Sequence, residues 1–212
     1  MRAALCLALA LPTAAFLVPA PRVPAVRMAA ADEAKAFCIA LQNGQSTDGL
    51  TEFVFTRAGA RSFFSSYLKE DEVTCADAEA PPSALVDSLE QAPPEVVEIM
   101  LMNVAISAAT AVGHGRAGRD EAQTASKREC ARASVLVKAM WERSPILQRS
   151  CGALEGAVAA ELGESVTEYD GASGDIELLR IQWSGLLGVC NYDAEQLEAV
   201  QEALALCPPR KE

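Results

Sequence analysis

The sequence predicts an all-α fold: a single-domain bundle of six to eight helices with a central antiparallel helix hairpin. Three observations carry that expectation. Half of the residues are hydrophobic but only 5% are aromatic. The apolar set is dominated by Ala, Leu and Val. Ala and Leu favour helices, whereas a β-sandwich would want more Thr, Ile and Tyr. Apolar positions also recur at helical spacing: Cys130, Ala133, Val137, Met140 and Trp141 fall at i, i+3, i+7, i+10 and i+11. Proline pairs and glycines stand at the breaks between such stretches.

Each element has its own local reason. Asp32 to Asn43 sets Phe37, Ile39, Ala40 and Leu41 ahead of Gly44, a helix followed by its stop signal. Gly49 to Leu68 holds Phe53, Phe55, Phe63, Phe64 and Tyr67, and Ala58-Gly59-Ala60 is expected to divide it into two short helices. Phe53-Val54-Phe55 alone would pass for a strand, but no second strand exists to pair with it, so helix is the expectation. Lys69 to Ala80 is an acidic connector. Pro81-Pro82 opens a short helix with Leu85, Val86 and Leu89, and Pro93-Pro94 opens the next. Proline in the first helical turn loses no hydrogen bond, because that N–H would be orphaned anyway.

Pro94 to about Val112 is the hydrophobic centre, with no charge from Ile99 to Val112 and with Glu95 and Glu98 at its start, where the helix dipole favours acids. Apolar on nearly all sides, it is the helix the others should wrap around. Asn103 on it must find a partner. A glycine-rich turn leads to a second long helix, Asp120 to about Trp141, and the two form the expected hairpin. Ser144-Pro145 caps and starts Ile146 to Leu162. Gly163 to Gly174 reads as a polar loop, and Asp175 to Cys190 carries Leu178, Leu179, Ile181, Trp183, Leu186 and Leu187. The last helix has Asp193 as cap, Gln196 at N3 and a Tyr192–Leu197 staple, and stops at Pro208-Pro209.

The first thirty-one residues stand apart. They contain Arg2, Arg22 and Arg27 and no acid, while all 29 Asp and Glu lie at or after Asp32. Met1-Arg2, the apolar run Ala3 to Leu11 and the small residues Thr13-Ala14-Ala15 read as a signal peptide cut after Ala15. That run is short of the roughly 20 residues that span a bilayer. Phe16 to Met28 is basic, acid-free and broken by Pro19, Pro21 and Pro24. The expected organisation is a signal peptide (1–15), a transit-like leader (16–31) with a second cut between Met28 and Ala31, a helical domain (32–207) and a tail (208–212). The Ala15-Phe16 junction followed by an Arg- and Pro-containing, acid-free segment resembles the bipartite presequence of algae with complex plastids. In that family the phenylalanine marks plastid import. The resemblance implies a stromal protein; the alternative is a secreted or lumenal one.

Leaving the leader aside, a chain of net charge −11 that loses three arginines is left near −14. Such a surface repels phosphate backbones, so nucleic acid is not an expected partner. Six cysteines remain (Cys38, Cys75, Cys130, Cys151, Cys190, Cys207), none spaced as a CxxC, with a single histidine. That excludes a Cys/His metal site. In an oxidising lumen three bridges are possible; in a reducing stroma the thiols serve as small hydrophobes. Gly113-His114-Gly115-Arg116-Ala117-Gly118 spells GxGxxG, but it leaves a helix rather than a strand, and reads as a helix–helix turn. His114 is expected in that turn, exposed. Glu70-Asp71-Glu72 and Glu164, Glu168 and Asp170 lack the EF-hand ligand order and read as solvated loops. No catalytic residue, metal site or cofactor is expected, and no enzymatic activity.

Arg116, Arg119, Lys127, Arg128, Arg132, Lys138, Arg143 and Arg149 make the one basic region of an acidic chain. A solvated helix face explains it, and so does a docking face for an acidic partner or anionic lipid head groups. The first six are the candidate partner-binding residues. From Phe63 to Arg149 the chain, in FFSSYL, DAEAPPSALVDSLEQAP and the Asn103-to-Gly118 hairpin, also resembles small helical proteins of unknown function from cyanobacteria and plastids. That resemblance implies no activity. The functional expectation is a non-enzymatic plastid accessory or assembly protein acting by protein–protein contact, with membrane association possible and no transmembrane helix in the mature chain. The alternative is a carrier of a small hydrophobic ligand, a pigment or lipid, in an Ala- and Met-lined cavity.

Overall fold

The computed structural model describes residues 25–164 and 174–206. The segments expected as signal peptide (1–15) and, for the most part, as transit-like leader (16–31), the middle of the 163–174 loop, Cys207 and the expected tail (208–212) lie outside the described residues. Among them are nine α-helices and one 3₁₀ turn, with no strand. In chain order these are α1 (Ala25–Gln42), α2 (Leu50–Val54), α3 (Arg57–Lys69), the 3₁₀ turn Thr74–Asp77, α4 (Ser83–Leu89), α5 (Pro94–Arg116), α6 (Asp120–Met140), α7 (Pro145–Glu161), α8 (Gly174–Cys190) and α9 (Ala194–Leu204). The all-α expectation holds, with more helices than the six to eight foreseen.

α1 begins seven residues ahead of Asp32, directly after Pro24 in the sequence. From Ala30 onward its buried residues are Ala34, Cys38 and Leu41. The aromatic stretch divides at Phe55-Thr56 rather than at Ala58-Gly59-Ala60. Thr56 is the better punctuation: its Oγ1 accepts from the Gly59 N–H at 2.9 Å, capping α3. Gly59 sits in the first turn of α3, where a Cβ would run into the Phe53 carbonyl.

α5 and α6 form the central hairpin, the most extensive helix contact in the molecule. The three-residue link Ala117–Arg119 makes them antiparallel, and Gly118 supplies its left-handed turn at φ +64°. The expected glycine-rich turn is thus shorter than the motif. Gly113, His114, Gly115 and Arg116 continue α5, because α6 and α9 pack against its last turns and outweigh the weak helix propensity of glycine. At Gly115 a Cβ would meet the side-chain amide of Gln123 on α6, which would have to swing aside. At 23 residues α5 is long and apolar enough to cross a membrane by length and composition, beyond the fourteen-residue run read from the sequence, and 61% of its most apolar window is buried among other helices. Asn103 satisfies its amide locally, donating to the Ile99 carbonyl at 2.7 Å.

Around the hairpin, α3 and α4 with α1 and α2 behind them close one side, and α7, α8 and α9 the other. Pro145 at N1 and Ser144, whose Oγ accepts from Leu147 N–H at 3.2 Å, start α7 as expected. Asp193 and Gln196 form the capping box of α9. One continuous core results, centred on Phe63, Tyr67, Leu101, Leu136, Trp141, Leu147 and Leu154.

Candidate functional site

The basic region survives folding as a face only in part. Arg132 lies one position from the apolar stripe of α6, and its guanidinium is only 2% exposed. Its Nε and Nη2 donate to the two carboxylate oxygens of Asp77, both at 2.6 Å. Its Nη1 donates to the carbonyls of Leu68 (3.1 Å) and Glu70 (3.0 Å), at the end of α3. The end of α3 and the 3₁₀ turn cover this second side of α6, so Arg132 is a structural residue and cannot dock a partner. The pair holds the Asp77 carboxyl below its usual range, through the Arg132 hydrogen bonds first of all.

Arg128 is ion-paired with Asp71. Arg116, in the last turn of α5, forks onto α9: its Nη2 donates to Asp193 at 3.0 Å and its Nε to Glu195 at 2.9 Å. Arg143 reaches Asp87 at 2.7 Å. Arg119, Lys127 and Lys138 are exposed and make no ion pair among the described residues. Of six candidate partner-binding residues, three are therefore taken by internal acids. The acidic connector supplies two of those acids, Asp71 and Asp77, and its Glu72 meets Lys35 at 3.1 Å, so that exposed segment also ties α1 and α6 together. His114 is half-buried in α5, not exposed in a turn, and its Nδ1 is buried without a hydrogen-bond partner.

A different feature gathers chemistry. α6 and α9 both pack on α5, yet they meet each other at only a few positions. The strip of α5 between them is left open as a groove of about 770 Å³. Its floor is small and apolar: Ala108, Ala111, Val112 and Gly115 at helical spacing. One wall is Gln123, Lys127 and Cys130 from α6; the other is Glu195, Ala199, Glu202 and Ala203 from α9, with Leu206 at the far end. The walls thus differ in sign, Lys127 facing Glu202 and Glu195 across an apolar trough. Arg116 closes one end, its charge already matched by Asp193 and Glu195. Sequence reasoning included Lys127 and Arg116 but not the groove, since no local pattern says that two helices sharing a third will stay apart.

Cys130 donates a weak hydrogen bond to the Val104 carbonyl at 3.7 Å. The fully buried Cys38 thiol is pushed up to about 12, by burial first and then by neighbouring Cys75, so it stays protonated at any physiological pH. Among the described residues no group of three His, Cys, Asp or Glu side chains is placed to hold a metal ion.

Comparison with protein families gives one match: residues 31–171 fit the family described as uncharacterised conserved protein UCP020893. The match covers more than half of the chain. The chain belongs to this family. The matched part runs from α1 through α7, so the hairpin and the Arg132 joint lie inside it, while α8 and α9 lie beyond it. No curated protein and no solved structure matches the chain.

Proposed function

We propose that this protein is a non-enzymatic accessory or assembly factor that holds a helix of a partner protein in the α5–α6–α9 groove. The observation that carries the reading is the trough itself: a small-residue floor between a basic wall at Lys127 and an acidic wall at Glu195 and Glu202. Small side chains let a second helix approach closely, and walls of opposite sign fix which way round it lies. A matching partner is an amphipathic helix whose apolar stripe is flanked by an acid on one side and a base on the other. Arg119 and Lys138 extend the basic side of α6 beyond the groove. The acid-free leader supports action in a plastid stroma, and loss of residues up to Ala31 would leave the buried Ala34, Cys38 and Leu41 of α1 in place.

The test is affinity capture from the native cell with three baits: wild type, Ala199→Trp, which fills the trough, and Lys127→Glu, which reverses one wall. A protein recovered with wild type and lost with both variants is the expected result. Equal recovery on all three would remove the groove from the reading. A second reading, a carrier of a small hydrophobic ligand, is favoured by the groove volume, which falls within the roughly 300–1,000 Å³ of small-molecule sites. Lipid or pigment that co-purifies with wild type and is absent from Ala199→Trp would select it.

A further inference from the structure

We infer that α8 is a self-association surface, on which two copies of this chain meet antiparallel across a twofold axis near Trp183. The inference goes beyond the groove and does not depend on it. α8 packs against the rest of the fold chiefly through α7, with Trp183 and Leu187 pointing inward. Its outer face is apolar where a solvated helix should be polar: Leu178 is 62% exposed, Ile181 59% and Val189 85%. Two glycines, Gly185 and Gly188, share that face, and a Cβ on either would meet nothing within 4 Å. An exposed glycine inside a helix costs stability relative to alanine, and neither is needed for packing within this fold.

The arrangement along the helix says what covers the face. Two of the three bulky residues lie before Trp183 and the two glycines after it, at matched distances: Leu178 and Gly188 are each five positions away, Ile181 and Gly185 each two, while Val189 lies past the glycines in the uncharged half of the helix. Reversing one helix against another about Trp183 therefore sets the bulky side chains of each copy over the glycines of the other. Charge selects the same pairing. A chain of net charge −11 repels its own copies over most of its surface. From Ile181 to Cys190 α8 has no charged residue, while Asp175, Glu177 and Arg180 crowd its start. An antiparallel pair sets each charged end beside the other's neutral end, whereas a parallel pair would oppose Asp175 and Glu177 to their own copies. A single helix face offers less than the about 800 Å² per partner of a standard interface, so the dimer is expected to dissociate on dilution through the micromolar range.

Sedimentation equilibrium of the full chain over a dilution series tests this. Wild type should move from monomer to dimer as concentration rises. Gly185→Leu fills the recess, adds no clash within the monomer, and should remain monomeric with an unchanged or raised Tm. Exchanging bulk and recess together, Ile181→Ala with Gly185→Leu, should restore the dimer. Wild type that stays monomeric throughout, with or without binding to anionic vesicles, would overturn the inference. So would Gly185→Leu associating as strongly as wild type, or the double exchange failing to recover association while folding normally.

Discussion

Arg132 and Asp77 face each other through two parallel hydrogen bonds of 2.6 Å, with the arginine sealed in the core and the aspartate 45% exposed. The asymmetry decides which partner matters more. Asp77→Ala leaves a buried guanidinium without its counter-charge, and is expected to cost about 3 kcal/mol. Arg132→Met leaves Asp77 able to rehydrate and chiefly strands the Leu68 and Glu70 carbonyls, at about 2 kcal/mol. Urea midpoints of the two variants check the order. Arg132→Met as the more damaging change would mean that the Leu68 and Glu70 carbonyls need the arginine more than the arginine needs Asp77.

The same pair sets an acid limit. Asp77 titrates below its ordinary value of 3.8 in the folded state, because the Arg132 hydrogen bonds favour its charged form. The unfolded chain then takes up the proton first, so the stabilisation is complete above that ordinary value and is lost as pH falls below it. Asp193, held low by Arg116, adds in the same direction. Urea midpoints measured at descending pH should fall steeply below about pH 4 in wild type, and less steeply in Asp77→Asn. Parallel curves would show that other carboxylates dominate acid unfolding.

Two helical glycines should respond to alanine with opposite sign. Gly59→Ala presses a Cβ onto the Phe53 carbonyl, 2.8 Å from Thr56 Oγ1, and must open the α2–α3 corner. A loss of about 1–3 kcal/mol is expected. Gly188→Ala meets open space and should raise the stability of the dilute monomer by about 0.5–1 kcal/mol. Thermal melts at low concentration compare them directly.

Cys38 should be chemically silent in the native protein. It is fully buried and stays a thiol up to about pH 12, so an aromatic disulfide reagent at neutral pH must wait for the fold to open. Its labelling rate should therefore track urea concentration through the unfolding transition. Rapid labelling in buffer would place α1 off the core.

Much of this architecture is legible in the chain. The charge-free run of α5, the stripe from Cys130 to Trp141 and the proline starts of α5 and α7 are local patterns, and local patterns survive folding. Three features are not local. α5 runs on through Gly113 and Gly115 because α6 and α9 cover its end, which no propensity scale contains. Arg132 looks like a surface residue because periodicity names one buried side of a helix, and α6 has two. The groove is a gap between helices more than fifty residues apart in sequence that meet at only a few positions, and no local pattern in Arg116, Lys127, Gly115 or Cys130 announces it.

The Arg132 joint also governs when the front of the chain can be complete. The Asp77 carboxylate has its donor on a residue 55 positions further on, and the Leu68 and Glu70 carbonyls at the end of α3 have theirs 64 and 62 positions further on. A nascent or translocating chain that has emerged only as far as α5 presents those acceptors to water, with the floor of α6 missing above Tyr67 and Phe63. Closure of the N-terminal third is thus timed by delivery of α6, and a fragment ending before Arg132 is held open at that corner rather than forming a smaller stable unit.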